Sequence, residues 1–118
     1  RGEEGMKKIY LFCDNGMSTS MLARNMQDIG DEHKLPLEIR AYPIRNLERI
    51  MEEKHPDCIL LGPQVRHLLE GTKEKVKKYK VPVGVIDSVD YGVMDGEKVL
   101  KKTLLLMKKY KEQEGKNV

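Results

Sequence analysis

The sequence predicts an α/β fold, a single domain built on a parallel sheet with helices on both faces. Three observations lead there. Ile9-Tyr10-Leu11-Phe12 and Ile59-Leu60-Leu61 are apolar without interruption, the pattern of central strands covered on both sides. Segments with apolar residues at helical spacing separate these runs from two further strand-like stretches. Turn-forming groups then punctuate the chain after each stretch: Asn15-Gly16, Pro43, Gly62-Pro63 and Asp87-Ser88. The resulting order, β-α-β-α-β-α-β-α, calls for right-handed crossovers and a parallel sheet.

Each element has its own justification. Arg1-Gly2-Glu3-Glu4-Gly5 carries neither a signal peptide's apolar core nor a core-forming pattern, and is expected to be a disordered start or cloning remnant ahead of Met6. The first strand ends at Cys13. Leu22, Met26 and Ile29 at i, i+4, i+7 then predict a helix over residues 18 to 33, capped by Ser18, Thr19 or Ser20 and stopped before Pro36. Leu37 to Tyr42 alternates apolar and polar and reads as a strand ended by Pro43. Asn46 is a candidate N-cap for a short helix with Leu47, Ile50 and Met51 inward.

The third strand, Cys58 to Leu61, passes through Gly62-Pro63 into a helix with Val65, Leu68, Leu69, Val76 and Tyr79 on one side. Gly71 inside that helix costs about 1 kcal/mol and is a candidate kink. Residues 81 to 86 form the last strand, where Pro82 and Gly84 suit an edge. Residues 87 to 94 are expected to be a loop or helical turn. Asp95 caps a final helix with Val99, Leu100, Thr103, Leu104 and Met107 inward. The folded domain is expected over residues 6 to 111, with 112 to 118 a C-terminal tail.

Composition limits the function classes. In 118 residues, 35% are charged and 39% hydrophobic, as in a soluble domain that builds its own core. The net charge of +3 is too balanced for a nucleic-acid binder, and the lysines of residues 73 to 80 and 98 to 111 read as solvated helix faces. No apolar run approaches the roughly 20 residues of a membrane span, so direct membrane insertion is not expected. Two cysteines without CxxC spacing point to a reducing cytoplasm. His33, His55 and His67 are scattered, read as surface residues, and imply no metal site.

The chemistry concentrates in Cys13-Asp14-Asn15-Gly16-Met17-Ser18-Thr19-Ser20. A strand that stops at a cysteine and hands over to a helix N-terminus sets a thiol against unpaired backbone N–H groups. These groups and the helix dipole favour an anion. Cys13 is therefore the candidate nucleophile and the loop a candidate phosphate cradle. Cys58, at the start of a buried strand, lies at the opposite end of the sheet and reads as a structural thiol.

These residues resemble the phosphocysteine loop of the IIB component of sugar phosphotransferase systems, in the lactose/cellobiose/chitobiose branch. Leu60-Leu61-Gly62-Pro63-Gln64 and Val85-Ile86-Asp87-Ser88 with Tyr91-Gly92 and Asp95-Gly96 agree with the same branch, in the same order. The resemblance implies a four-stranded sheet in order 2-1-3-4, the fold shared with low-molecular-weight tyrosine phosphatases. It also implies a role: Cys13 takes a phosphoryl group from a phosphohistidine on the IIA partner. It then passes the group to a sugar such as cellobiose, chitobiose or another β-glucoside, held by the membrane-embedded IIC partner. Asp14, Asn15, Gly16, Met17, Ser18, Thr19 and Ser20 would hold the phosphate, with no cofactor. A monomer docking transiently on both partners is the default. Asp14 departs from the family's small or neutral residues at that position. A carboxylate beside a phosphodianion repels it unless it points to solvent or caps a local N–H.

Two competing readings are weaker. A phosphatase of this fold carries C-x5-R, whose arginine clamps phosphate; here the sixth position after Cys13 is Thr19. A flavin-binding or redox-sensing module would want aromatic residues for stacking or a P-loop, and the chain has five Tyr, one Phe and no Gly-Lys-Ser/Thr.

Overall fold

The computed structural model describes residues 5–14 and 17–116. In chain order it contains β1 (Lys7–Cys13), α1 (Met17–Glu32), β2 (Leu37–Pro43), α2 (Leu47–Lys54) and β3 (Cys58–Leu61). There follow α3 (Leu69–Val76), β4 (Val83–Val85), α4 (Ser88–Gly92) and α5 (Gly96–Lys116). All strand pairs are parallel and the order is β2-β1-β3-β4.

Alternation along the strands divides the apolar residues between two cores. Ile9, Leu11, Leu37, Ile39, Cys58 and Leu60 pack with Leu22, Met26, Val99 and Leu100 of α1 and α5. Tyr10, Phe12, Ile59, Leu61 and Val83 point the other way, onto Leu47, Ile50, Met51, Val65 and Val76 beside α2 and α3. Both central strands are thus buried on both faces, which is why their sequences are apolar throughout.

Chain direction fixes where the two halves part. From β1 the chain runs through α1 to β2 on one side; from β2 it returns past β1 to β3 on the other. The carboxyl ends of β1 and β3 therefore border the crevice where loops diverge, the usual ligand site of such sheets. Cys13 ends β1 and Gly62 follows β3, joined there by Gly62 N–H donating to the Phe12 carbonyl at 2.8 Å.

Several local expectations need correction. The helix after the loop starts at Met17, so Ser18, Thr19 and Ser20 sit inside its first turn and do not precede it. Asn46 makes no side-chain cap bond; a 3₁₀ turn, Ile44–Asn46, leads into α2 and supplies its first carbonyls. Gly71 sits within the helical run Leu69–Val76. The irregularity falls at Val65 (φ −118°, ψ 23°), in the 3₁₀ stretch Pro63–Leu68 that follows Gly62. β4 is shorter than expected, spanning Val83–Val85, although the Pro82 carbonyl still accepts from Ile59 N–H at 3.0 Å. The final helix continues through Lys116, so most of residues 112 to 118 extends α5.

Candidate functional site

Cys13 is 2% exposed, at the carboxyl end of β1 where it pairs in register with Pro43. Its thiol is free, as is that of Cys58. The two differ in position. Cys58 opens β3 opposite Ile9, several residues down the sheet, and burial together with the charge of Asp57 pushes its thiol up to about 12. A thiol held protonated is neither nucleophile nor ligand. Only Cys13 stands at the ligand-binding end.

The wall beside Cys13 is Gly62, and space explains the glycine. Its φ of −63° is open to any residue, but a Cβ there would lie 3.2 Å from the Cys13 Cβ and 2.9 Å from Gln64 Oε1. The β3 turn thus passes Cys13 at contact distance. Pro63, buried at the start of the following 3₁₀ stretch, stiffens that turn.

The loop residues separate into three groups. Asp14 is exposed, the solvent-facing placement that relieves its repulsion of an anion on Cys13. Asn15 and Gly16 lie outside the described residues. Met17, Ser18, Thr19 and Ser20 form the first turn of α1, whose leading N–H groups have no intrahelical acceptor. That turn contains no acidic side chain, so nothing in it competes with an incoming anion. Ser18 and Ser20 are exposed, whereas Thr19 is fully buried.

Thr19 is buried because of a partner that sequence spacing gives no reason to expect. Its Oγ1 shares a 2.9 Å hydrogen bond with the Tyr91 hydroxyl, 72 residues away on α4. A chain of contacts holds α4 in place. Asp87 caps it, its carboxylate accepting from the amides of Val89 and Asp90 at 3.0 Å. The Asp90 amide, with the Lys102 charge, holds the Asp87 carboxyl below its usual range. Asp90 itself is 4% exposed and accepts from Lys102 Nζ at 2.7 Å. The Asn25 side chain of α1 reaches the Met94 carbonyl just beyond α4 at 3.4 Å. Asp87, Ser88 and Tyr91, which the resemblance singled out, follow β4 at the same end of the sheet as Cys13. Tyr91 reaches into the loop's own helix, a role that the sequence reading missed; the signal was present only as a tyrosine one turn into a capped helix.

The three histidines are exposed, and His55 closes α2 in a left-handed conformation (φ 52°). Among the described residues no group of three His, Cys, Asp or Glu side chains is arranged to hold a metal ion, and no helix is long and apolar enough to cross a membrane.

Comparison with known proteins agrees with this geometry. The family model described as "PTS system, Lactose/Cellobiose specific IIB subunit" matches residues 8–102. The oligo-beta-mannoside-specific EIIB component of Bacillus subtilis is 35% identical over 86% of this chain and 97% of its own length. The galactose-specific EIIB component of Lactococcus lactis subsp. cremoris is 38% identical over 80% of this chain and 90% of its own. Among solved structures, the solution structure of the cellobiose-specific IIB component from Borrelia burgdorferi superposes with TM-score 0.71 at 31% identity, covering 90% of this chain and 95% of that one. The lactose-specific IIB domain from Streptococcus pneumoniae superposes with TM-score 0.77 at 17% identity, covering 86% and 97%, a likeness of fold.

Proposed function

This chain belongs to the lactose/cellobiose-specific IIB subunits of the phosphotransferase system, phosphotransferases that pass phosphate to sugar, and from that premise we propose that Cys13 is the residue that carries the phosphoryl group. The observation that supports this most is the placement of the Cys13 thiol. It ends β1 at the crevice between β1 and β3, ahead of the first turn of α1.

The chemistry follows from the groups present. The Cys13 thiolate attacks the phosphorus of a phosphohistidine on IIA; the S–P bond forms as the N–P bond breaks, in line and through a loose transition state. Charge spreads over the three phosphoryl oxygens, and the amides from Asp14 to Ser20, the loop residues Asn15, Gly16 and Met17 among them, meet it with the α1 dipole. The hydroxyls of Ser18, Thr19 and Ser20 are further donors. A sugar hydroxyl on the IIC partner then attacks the same phosphorus, and the thiolate leaves without needing a proton from this subunit.

The position at which phosphatases of this fold place an arginine holds Thr19. Without that bidentate cation, water attack on phosphocysteine is poorly stabilised, so the intermediate lasts long enough to be handed on. The sugar is of the cellobiose, chitobiose or other β-glucoside type, because the residues that match follow that branch. The subunit works at the cytoplasmic face of IIC and docks as a monomer on each partner in turn.

A chase experiment tests the relay. Phosphorylated subunit is mixed with membrane vesicles carrying a lactose/cellobiose-family IIC and, in turn, cellobiose, chitobiose, lactose or no sugar. The expected result is loss of protein-bound phosphate and gain of sugar phosphate with a β-glucoside only. Release of inorganic phosphate at the same rate with and without sugar contradicts the reading.

A further inference from the structure

Beyond the loop itself, the geometry points to Tyr91 as a positioning residue for phosphoryl transfer, acting through Thr19. This inference rests on the relay proposed above. Thr19 is 0% exposed on the first turn of α1, and its hydroxyl is held 2.9 Å from the Tyr91 hydroxyl. Two neutral hydroxyls can share one bond in either direction. A phosphoryl group on Cys13 removes that ambiguity, because its oxygens accept and do not donate. Tyr91 then donates to Thr19 Oγ1, and the Thr19 proton is left to turn toward the phosphoryl oxygens. A buried threonine without that partner would lose its orientation, and the first turn of α1 would lose its tie to the rest of the site.

Several polar contacts fix α4 in place. The Asp87 carboxylate accepts from the Val89 and Asp90 amides at the start of α4, the Asp90–Lys102 pair ties α4 to α5, and Asp95 N–H donates to the Asp90 carbonyl at 2.9 Å. Tyr91 lies between these anchors. Its neighbours Val89 and Val93 are exposed, so α4 is held by polar contacts and by Tyr91, with little apolar burial of its own. A phenol fixed in this way is placed to act on Thr19 with low entropic cost.

The test compares wild type, Tyr91→Phe, Thr19→Val and the double variant, with Thr19→Ser retaining the hydroxyl should the valine variant not fold. A lactose/cellobiose-family IIA charged from phosphoenolpyruvate is the donor; the rate of phosphoprotein formation is followed at saturating and low donor, and the ³¹P shift of the product is recorded against pH. Tyr91→Phe is expected to lower the saturated rate on the order of tenfold, the effect of one hydrogen bond of ordinary net strength, with the donor concentration for half-maximal rate unchanged. It is expected to displace the ³¹P titration and to have no further effect once Thr19 is valine. A Tyr91→Phe protein with wild-type rate and ³¹P titration overturns the inference while leaving the relay standing, as do effects of the two substitutions that simply multiply. A wild type that takes up no phosphate overturns the relay and this inference together.

Discussion

A single missing carbon at position 62 governs how closely the β3 turn approaches Cys13. Because a Cβ there would stand 3.2 Å from the Cys13 Cβ, Gly62→Ala must displace either the turn or the cysteine by a few tenths of an ångström. Reacting atoms tolerate such shifts poorly. Gly62→Ala is expected to slow phosphorylation of Cys13 about tenfold while moving the melting temperature by only a few degrees; wild-type kinetics in that variant would mean the contact is incidental. The candidate loop stood out in the sequence because Cys13, Asn15-Gly16 and the hydroxyl residues Ser18, Thr19 and Ser20 are contiguous. The contact made by Thr19 was not legible. A hydrogen bond between residues 72 apart depends on how α4 lies on α1, and no local spacing encodes that.

At the scale of elements, the close crossing is between α1 and the start of α5. A Cβ on Gly96 would fall 3.0 Å from the Asn25 Cβ and 3.1 Å from the Met26 amide, so backbone rather than a movable side-chain tip opposes it. Gly96→Ala should cost about 1–3 kcal/mol of stability by overpacking, measurable by urea unfolding. It should also slow transfer, since displacing α1 displaces the site. Unchanged stability would show that the helices slide apart freely. The central strands and the long helices were read correctly from periodicity because burial on both faces of Ile9 to Phe12 leaves no room for polar residues. The sequence was less informative at short elements. The helix caps expected at Asn46 and at Ser18, Thr19 or Ser20 were misplaced, because a 3₁₀ turn before Leu47 and a helix start at Met17 leave the apolar stripes unchanged.

At the scale of the whole molecule, charge among the described residues lies at the surface apart from a few partnered groups. The Tyr10 hydroxyl, fully buried in the sheet, donates to the Glu38 carboxylate, which also faces Arg40 Nε at 3.3 Å. Burial, followed by the Glu38 bond, pushes the Tyr10 phenol strongly upward. For Glu38, burial opposes ionisation, but the Tyr10 bond and the charges of Arg40 and Lys8 outweigh it and hold the carboxyl below its usual range. A depressed carboxyl stabilises the fold above its unfolded pKa of about 4.3 and loses that contribution as pH falls through the folded value. Glu38→Gln is therefore expected to lower stability by about 1 kcal/mol near pH 7 and by less near pH 3, narrowing its gap to wild type in parallel thermal melts. A gap that widens on acidification would contradict the assignment.

Phosphoryl carriage by Cys13 is the proposed step on which the rest depends. Intact-mass spectrometry tests it most directly, after incubation with phosphoenolpyruvate, the general phosphotransferase proteins and a lactose/cellobiose-family IIA, beside a Cys13→Ser control. A gain of about 80 Da, one phosphate, is expected in the wild type alone, persisting for minutes in the absence of sugar. An equal gain in Cys13→Ser would place the phosphate elsewhere. No gain in the wild type, with phosphate released from p-nitrophenyl phosphate, would make the loop hydrolytic and contradict the relay.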